Sequence, residues 1–338
     1  MSGSHPRYGD FSFQAVVDTY DPKLRDLHPG DLRHGLTLQS QYLYGGLRDS
    51  DGKTWMLERK FCGPMTGGLW MMSNESGHIA LHPQALNASR GEALRLIEPD
   101  RRRWTNHLMH KLAPQFGITS HPMSIELDDE HLVWNEGELF ELSGPLQGPG
   151  FQHYMPARDE PLFYTTQIYW VTGVIDGKAC EGFIGLDHGY FAAGQEWKEY
   201  RYFTDLELAW GVFANKLGDG TIEYGVLVKG RQGWSGAATF ADGELVAKTD
   251  RVGVEFELDS DGFIVDAEYD IDGVKYSMVG ADGGRFTSFA EARWAGYQSQ
   301  SVIVRRVGDE RPLDSGFCWI EFFPERIRAQ GLDTRGRR

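Results

Sequence analysis

The sequence predicts an all-β protein of two antiparallel domains in tandem, each a sandwich or an up-and-down barrel, and three observations lead there. Asp-Gly occurs seven times, at 51, 176, 219, 242, 261, 272 and 282, mostly between runs that alternate apolar and polar residues. Asp-Gly suits the positive-φ positions of two-residue hairpin turns, so each pair marks a strand, a turn and a strand. In "VGVEFELDSDGFIVDAEYDIDGVKYSMVG", residues 252–280, Val252, Val254, Phe256 and Leu258 share one face and Glu255 and Glu257 the other, the period of half-buried strands. Finally, residues 41–70 line up loosely with 168–197: Tyr42 on Tyr169, Gly46 on Gly173, Asp51-Gly52-Lys53 on Asp176-Gly177-Lys178, and Trp70 on Trp197. This weak repeat favours two related β domains, and closing each sheet removes its exposed edges.

Along the chain, helical signal is sparse. Residues 88–113 have some helical spacing, but Gly91 and Pro99 interrupt it, so two short helices or irregular segments at most are expected there. The acidic run "IELDDEHLVWNEGELFEL" alternates and reads as a strand pair with a solvated face. Residues 143–161 hold three glycines and four prolines without periodicity, the best linker candidate. It divides the chain into 1–149 and 150–338, with three or four strands of the second domain falling in 252–280.

The 338 residues are 41% hydrophobic and 13% aromatic, enough for a sizeable core, and the net charge of −15 argues against nucleic acid or an anionic membrane surface as partner. Cys62, Cys180 and Cys318 are far apart, without metal-ligand spacing, and read as buried thiols. The N-terminus lacks an apolar signal region and no apolar run reaches membrane-spanning length, which points to a soluble cytoplasmic protein with no membrane insertion; a homodimer is left open. His107 and His110 would share a helix face, with His121 and Glu126 further on, but no HExxH or facial-triad pattern accompanies them, so no metal is expected. No GxSxG, P-loop or strand-borne GxGxxG is present, and no cofactor is expected.

The stretch "DGK", then Gly-x-x-Gly-x-Asp-His-Gly-Tyr (182–190), Trp197, and "ELAWGVFANKLGDGTIEYGVLV" (207–228) resembles the tandem lipocalin-like family that contains hydroxyneurosporene synthase (carotenoid 1,2-hydratase), kievitone hydratase and some decalin-forming cyclases. The resemblance covers mainly residues 164–230. It implies two calycin-type (lipocalin-like) β-barrels that bind apolar polycyclic or isoprenoid-like molecules, several members adding water to an alkene or closing rings without a cofactor. Where the family carries Trp shortly after the Asp-His pair, this chain has Gly189-Tyr190-Phe191.

A hydratase or dehydratase needs an acid to protonate carbon or a leaving hydroxyl and a base to activate water or remove a proton, and Asp187 and His188 suit these roles, with Tyr190 as a further proton donor or orienting group. In a regular strand only one of the adjacent pair faces inward; a bulge at Gly189 would re-aim one of them. Tyr169, Trp170, Phe191, Trp197, Trp210 and Trp70 are the candidate apolar lining, with Phe213 nearby, while Glu181 reads as a solvated strand residue. The expected activity is a cofactor-independent lyase or isomerase (hydratase, dehydratase or cyclase) acting on an apolar small molecule, such as a terpenoid, polyketide or aromatic metabolite, held between the barrels. The alternative is a binding protein that carries such a molecule without chemistry. An ester or lactone hydrolase is disfavoured by the lack of an activated Ser or Cys motif.

Overall fold

A computed structural model describes residues 16–335 except 24–31, 63–64, 67, 84–90, 93, 99–100, 118–120, 157–158, 196 and 288–295. The chain is all-β, and its strands form two curled antiparallel sheets. Turn chemistry sets the hairpins. Asp176-Gly177, Asp242-Gly243 and Asp272-Gly273 have positive φ at both residues, the conformation a two-residue hairpin needs to match strand twist. Asp282-Gly283 is different: it falls within the strand Val274–Arg285, where the register jumps between Gly280 and Arg285.

The first sheet runs Ala80–Leu81, Trp70–Ser73, Thr54–Cys62, Thr37–Asp49, Lys178–Phe191, Leu162–Ile175, Phe140–Pro145, His131–Asn135, Ser124–Asp128, Arg101–Thr105, Leu94–Glu98. The second runs Glu244–Thr249, Ser235–Ala241, Ile222–Gly230, Glu207–Leu217, Leu313–Phe322, Gln298–Arg306, Val274–Arg285, Ile264–Ile271, Gly253–Leu258. Residues 252–280 thus supply three strands, two of them complete.

Three expectations need correction. The change of sheet lies between Phe191 and Glu207 rather than near 150, because Leu162–Ile175 and Lys178–Phe191 hydrogen-bond into the first sheet. The proposed linker is itself structured: Gly150–Met155 pairs with both Val16–Tyr20 and Leu162–Ile175. Both copies of the weak repeat are hairpins side by side in one sheet, joined where Thr37–Asp49 pairs with Lys178–Phe191, so the repeat does not mark two domains. Among the described residues of 88–113, Leu94–Glu98 and Arg101–Thr105 form a hairpin and His107–Leu112 is the α-helix.

Alternation on the central strands sorts most of the core into three parts. Leu43, Leu57, Trp104, Trp134, Tyr169 and Ile184 fill the concave side of the first sheet. Phe213, Leu227, Phe256, Tyr269, Met278 and Ile320 fill that of the second. A third cluster, including Tyr44, Trp170, Phe183, Val212, Tyr224 and Trp319, draws on both sheets and lies between them. Each central strand is therefore covered on both faces, which is why these strands read as nearly continuous apolar runs rather than clean alternations.

Candidate active site

Between the sheets lies a cavity of about 310 Å³. Its walls combine aromatic side chains, among them Tyr42, Trp70, Tyr164, Trp210 and Trp319, with four carboxyls: Glu58, Asp187, Glu207 and Glu321. Strand parity explains the placement. In Lys178–Phe191, Phe183 and Phe191 belong to the inter-sheet cluster and Ile184 and Leu186 to the first sheet's own core, so Asp187 projects between the sheets. The same rule puts Tyr44 on the cavity side of Thr37–Asp49 and Trp319 and Glu321 together on Leu313–Phe322.

Asp187 is 3% exposed, and both its oxygens are engaged. Tyr44 Oη donates to Oδ1 at 3.2 Å and Tyr164 Oη to Oδ2 at 2.9 Å. Burial raises the carboxyl from its usual 3.8 to about 7, with the phenol hydrogen bonds opposing and the Glu321 charge adding. Gly185 makes the Tyr44 contact fit: a Cβ there would lie 3.1 Å from the phenol ring carbon bearing the hydroxyl. Tyr164 is fixed in turn by His153, stacked at 5.7 Å, and by the edge of Trp210 at 5.1 Å.

The other cavity acids share one neighbour. Burial and then the Glu321 charge raise Glu58 to about 8, against Lys60, and push Glu207 well above the carboxylate range, against Arg326. Burial raises Glu321 itself to about 7, opposed by hydrogen bonding from Tyr297. Glu58 and Glu321 are half-buried, so the cavity's own solvent reaches them and tempers these shifts, whereas Glu207 is 1% exposed and its Oε1 has no hydrogen-bond partner among the described residues. Burial lowers His153 to about 3, leaving a neutral imidazole whose Nε2 also lacks a partner there. Among the described residues no three His, Cys, Asp or Glu are arranged to hold a metal ion; the four acids are spread over the walls.

Not all the residues singled out from sequence meet here. Trp70 and Trp210 line the cavity, while Trp170 and Phe191 pack in the surrounding inter-sheet cluster, facing Phe317 and Tyr200. Trp197 begins the short turn Trp197–Glu199; its side chain is outside the described residues, as is that of Cys62. His188 is separated from Asp187 by the pleat. It is fully buried on the opposite face, where burial and the Arg102 charge hold it well below the usual imidazole range. The register shift at Gly189/Tyr190 comes after His188 and does not turn it back. Tyr190 packs with Leu36 and Phe163 in a cluster of its own. Tyr169 lies in the first sheet's core, accepting from Gln167 Nε2 at 2.6 Å, and Phe213 lies in the second's. Glu181 bridges the sheets, accepting from Lys216 Nζ and Ser315 Oγ, each at 2.9 Å. His107 is exposed on the short helix, and Glu126 pairs with Arg101 and Arg103. Burial raises the Cys180 thiol to about 12 and Cys318 further, which leaves both as thiols.

Sequence reasoning missed Tyr44, Tyr164, His153, Glu58, Glu207 and Glu321. The signal for Glu321 was present: it is the only charged residue in the run "FCWIEFF", 317–323, too apolar to put a carboxylate on a solvated face.

Fold and site together define a class: an all-β protein of two curled sheets with an acidic, aromatic cavity between them. No family profile matches the chain, and no curated protein matches it. Among solved structures, a protein assigned as AttH from Nitrosomonas europaea is similar over 88% of this chain and 96% of its own, at 14% identity and a TM-score of 0.47. Kievitone hydratase from Nectria haematococca is similar over 85% of this chain and 89% of its own, at 6% identity and a TM-score of 0.39. Among the described residues no helix is long and apolar enough to cross a membrane.

Proposed function

We propose that this protein is a cofactor-independent lyase or isomerase, a hydratase, dehydratase or cyclase, acting by acid–base chemistry on an apolar small molecule held in the cavity. The observation that supports this reading is Asp187: a buried carboxyl in an aromatic cavity, between two phenols, balanced between its protonated and ionised forms near neutrality. Protonated, it delivers a proton to an alkene carbon or a leaving hydroxyl; ionised, it takes one back from carbon or from attacking water. Tyr44 and Tyr164 hold the carboxyl in place and stabilise its ionised form, and Trp210, Tyr164 and Trp70 supply faces that stabilise a developing positive charge. His153, neutral at working pH, is positioned to accept a hydrogen bond from a substrate hydroxyl. His188 and Tyr190 have no part in this mechanism.

A non-catalytic carrier is the second reading, favoured by one observation: both Asp187 oxygens already bond to wall hydroxyls, as in a structural contact. A depletion assay separates the two. Extracts of apolar metabolites are incubated with wild type and with Asp187→Asn, and losses and gains are followed by mass spectrometry. The enzyme reading expects conversion by wild type and a drop of about 10² or more in the variant, which still unfolds in a single cooperative transition. Retention of the same compound by both, without conversion, supports the carrier.

A further inference from the structure

Resting on the reading that the cavity is the functional site, we infer that its ligand carries a positive charge: a protonated amine on an apolar frame. The lining holds four carboxyls against one lysine within the walls, Lys60, and one exposed at the edge, Lys198. Lys60 also lies 5.3 Å from the centre of the Tyr42 ring. Arg326, whose charge acts on Glu207, does not make up the difference. Arg326 donates to the backbone carbonyls of Phe203, Thr204 and Glu207 and stacks on Phe323, so its guanidinium is committed to the wall.

Two independent features of the cavity provide for a cation. Glu207, 1% exposed, presents Oε1 without a partner among the described residues, an acceptor buried at a cost that only a donor recovers. Tyr164 and Trp210, with Trp70 and Trp319, present aromatic surface of the kind that holds ammonium groups by cation–π attraction. An apolar frame fills the remaining aromatic wall. A neutral hydroxyl can also donate to Glu207 Oε1, but only a cation holds Glu207 ionised against the burial that otherwise keeps it protonated and gains the charge–charge attraction in return, while a carboxylate ligand gains none, so charge becomes the basis of selection.

The test uses three probes of nearly one shape: 1-naphthylmethylamine, 1-naphthylmethanol and 1-naphthoic acid, titrated calorimetrically into the full chain at pH 7. The inference expects the amine to bind at least tenfold more tightly than the alcohol and the acid not to bind. Glu207→Gln should weaken the amine about tenfold and leave the alcohol unchanged. Because the wild-type series decides alone, a variant that fails to fold does not blunt the test. Equal binding of amine and alcohol, or preference for the acid, overturns the inference while leaving the cavity as a ligand site. Failure of all three to bind overturns the inference and counts against the cavity as a small-molecule site.

Discussion

Replacing Asp187 by Asn should change how stability depends on pH, by an amount the cavity geometry sets. In wild type the folded carboxyl titrates at about 7 and the unfolded one near 3.8. Between these values the folded chain binds the extra proton, so stability is full below 3.8 and falls as pH rises, by about 1.4 kcal/mol per pH unit, until the folded group ionises. Between pH 4.5 and 8.5 this one residue accounts for a loss of about 3 kcal/mol. Asn carries no proton to lose, so the variant should lack this part of the decline. Urea denaturation of both proteins at the two pH values measures it; the other acids contribute to both, Glu58 a little less in the variant because the Asp187 charge no longer raises it. The expected result is a fall in unfolding free energy smaller by about 3 kcal/mol in the variant. Equal falls would mean that Asp187 ionises as an ordinary carboxylate, and the acid–base argument built on it would fail.

Other perturbations follow from neighbouring geometry. His188→Gln should shift the melting temperature but leave turnover per folded molecule unchanged, since the ring faces the first sheet's core; a loss of about 10² in a substrate-depletion assay would refute this placement. Trp210→Ala should weaken binding of the naphthyl probes about tenfold by removing wall area, and unchanged calorimetric affinities would take Trp210 out of the site. Glu136→Gln should destabilise the fold by about 3–5 kcal/mol, because it leaves Arg59 buried without its ion pair and weakens the bond from Trp134 Nε1; denaturation within about 1 kcal/mol of wild type would refute that.

Local rules carried the reading of the fold a long way. Asp-Gly turns and period-two runs identify hairpins because both depend on neighbours in sequence, and "EYDIDGVKY" folds as its turn chemistry requires. Which hairpins lie side by side is decided by pairing across long separations. Tyr42 pairs with Asp187 across 145 residues of chain, and nothing in either segment announces the partner, so composition puts the boundary near 150, at a place where strands continue. The site was partly legible for the same reason. Asp187 and the pleat that separates it from His188 follow from one strand. Glu58 did not stand out because Thr54–Cys62 is covered on both faces, with Arg59 toward the first sheet's core and Glu58 and Lys60 toward the cavity, so the Glu58–Lys60 face reads in sequence like a solvated one.

Acid–base chemistry in this cavity requires Asp187 to keep its proton up to neutrality in the folded protein. Labelling aspartate carboxyls with ¹³C and recording their titration by NMR, with Asp187→Asn to assign the resonance, measures this without knowledge of the substrate. A midpoint near 7 is expected for that one carboxyl. A midpoint near 3.8, the usual value for aspartate, would contradict it.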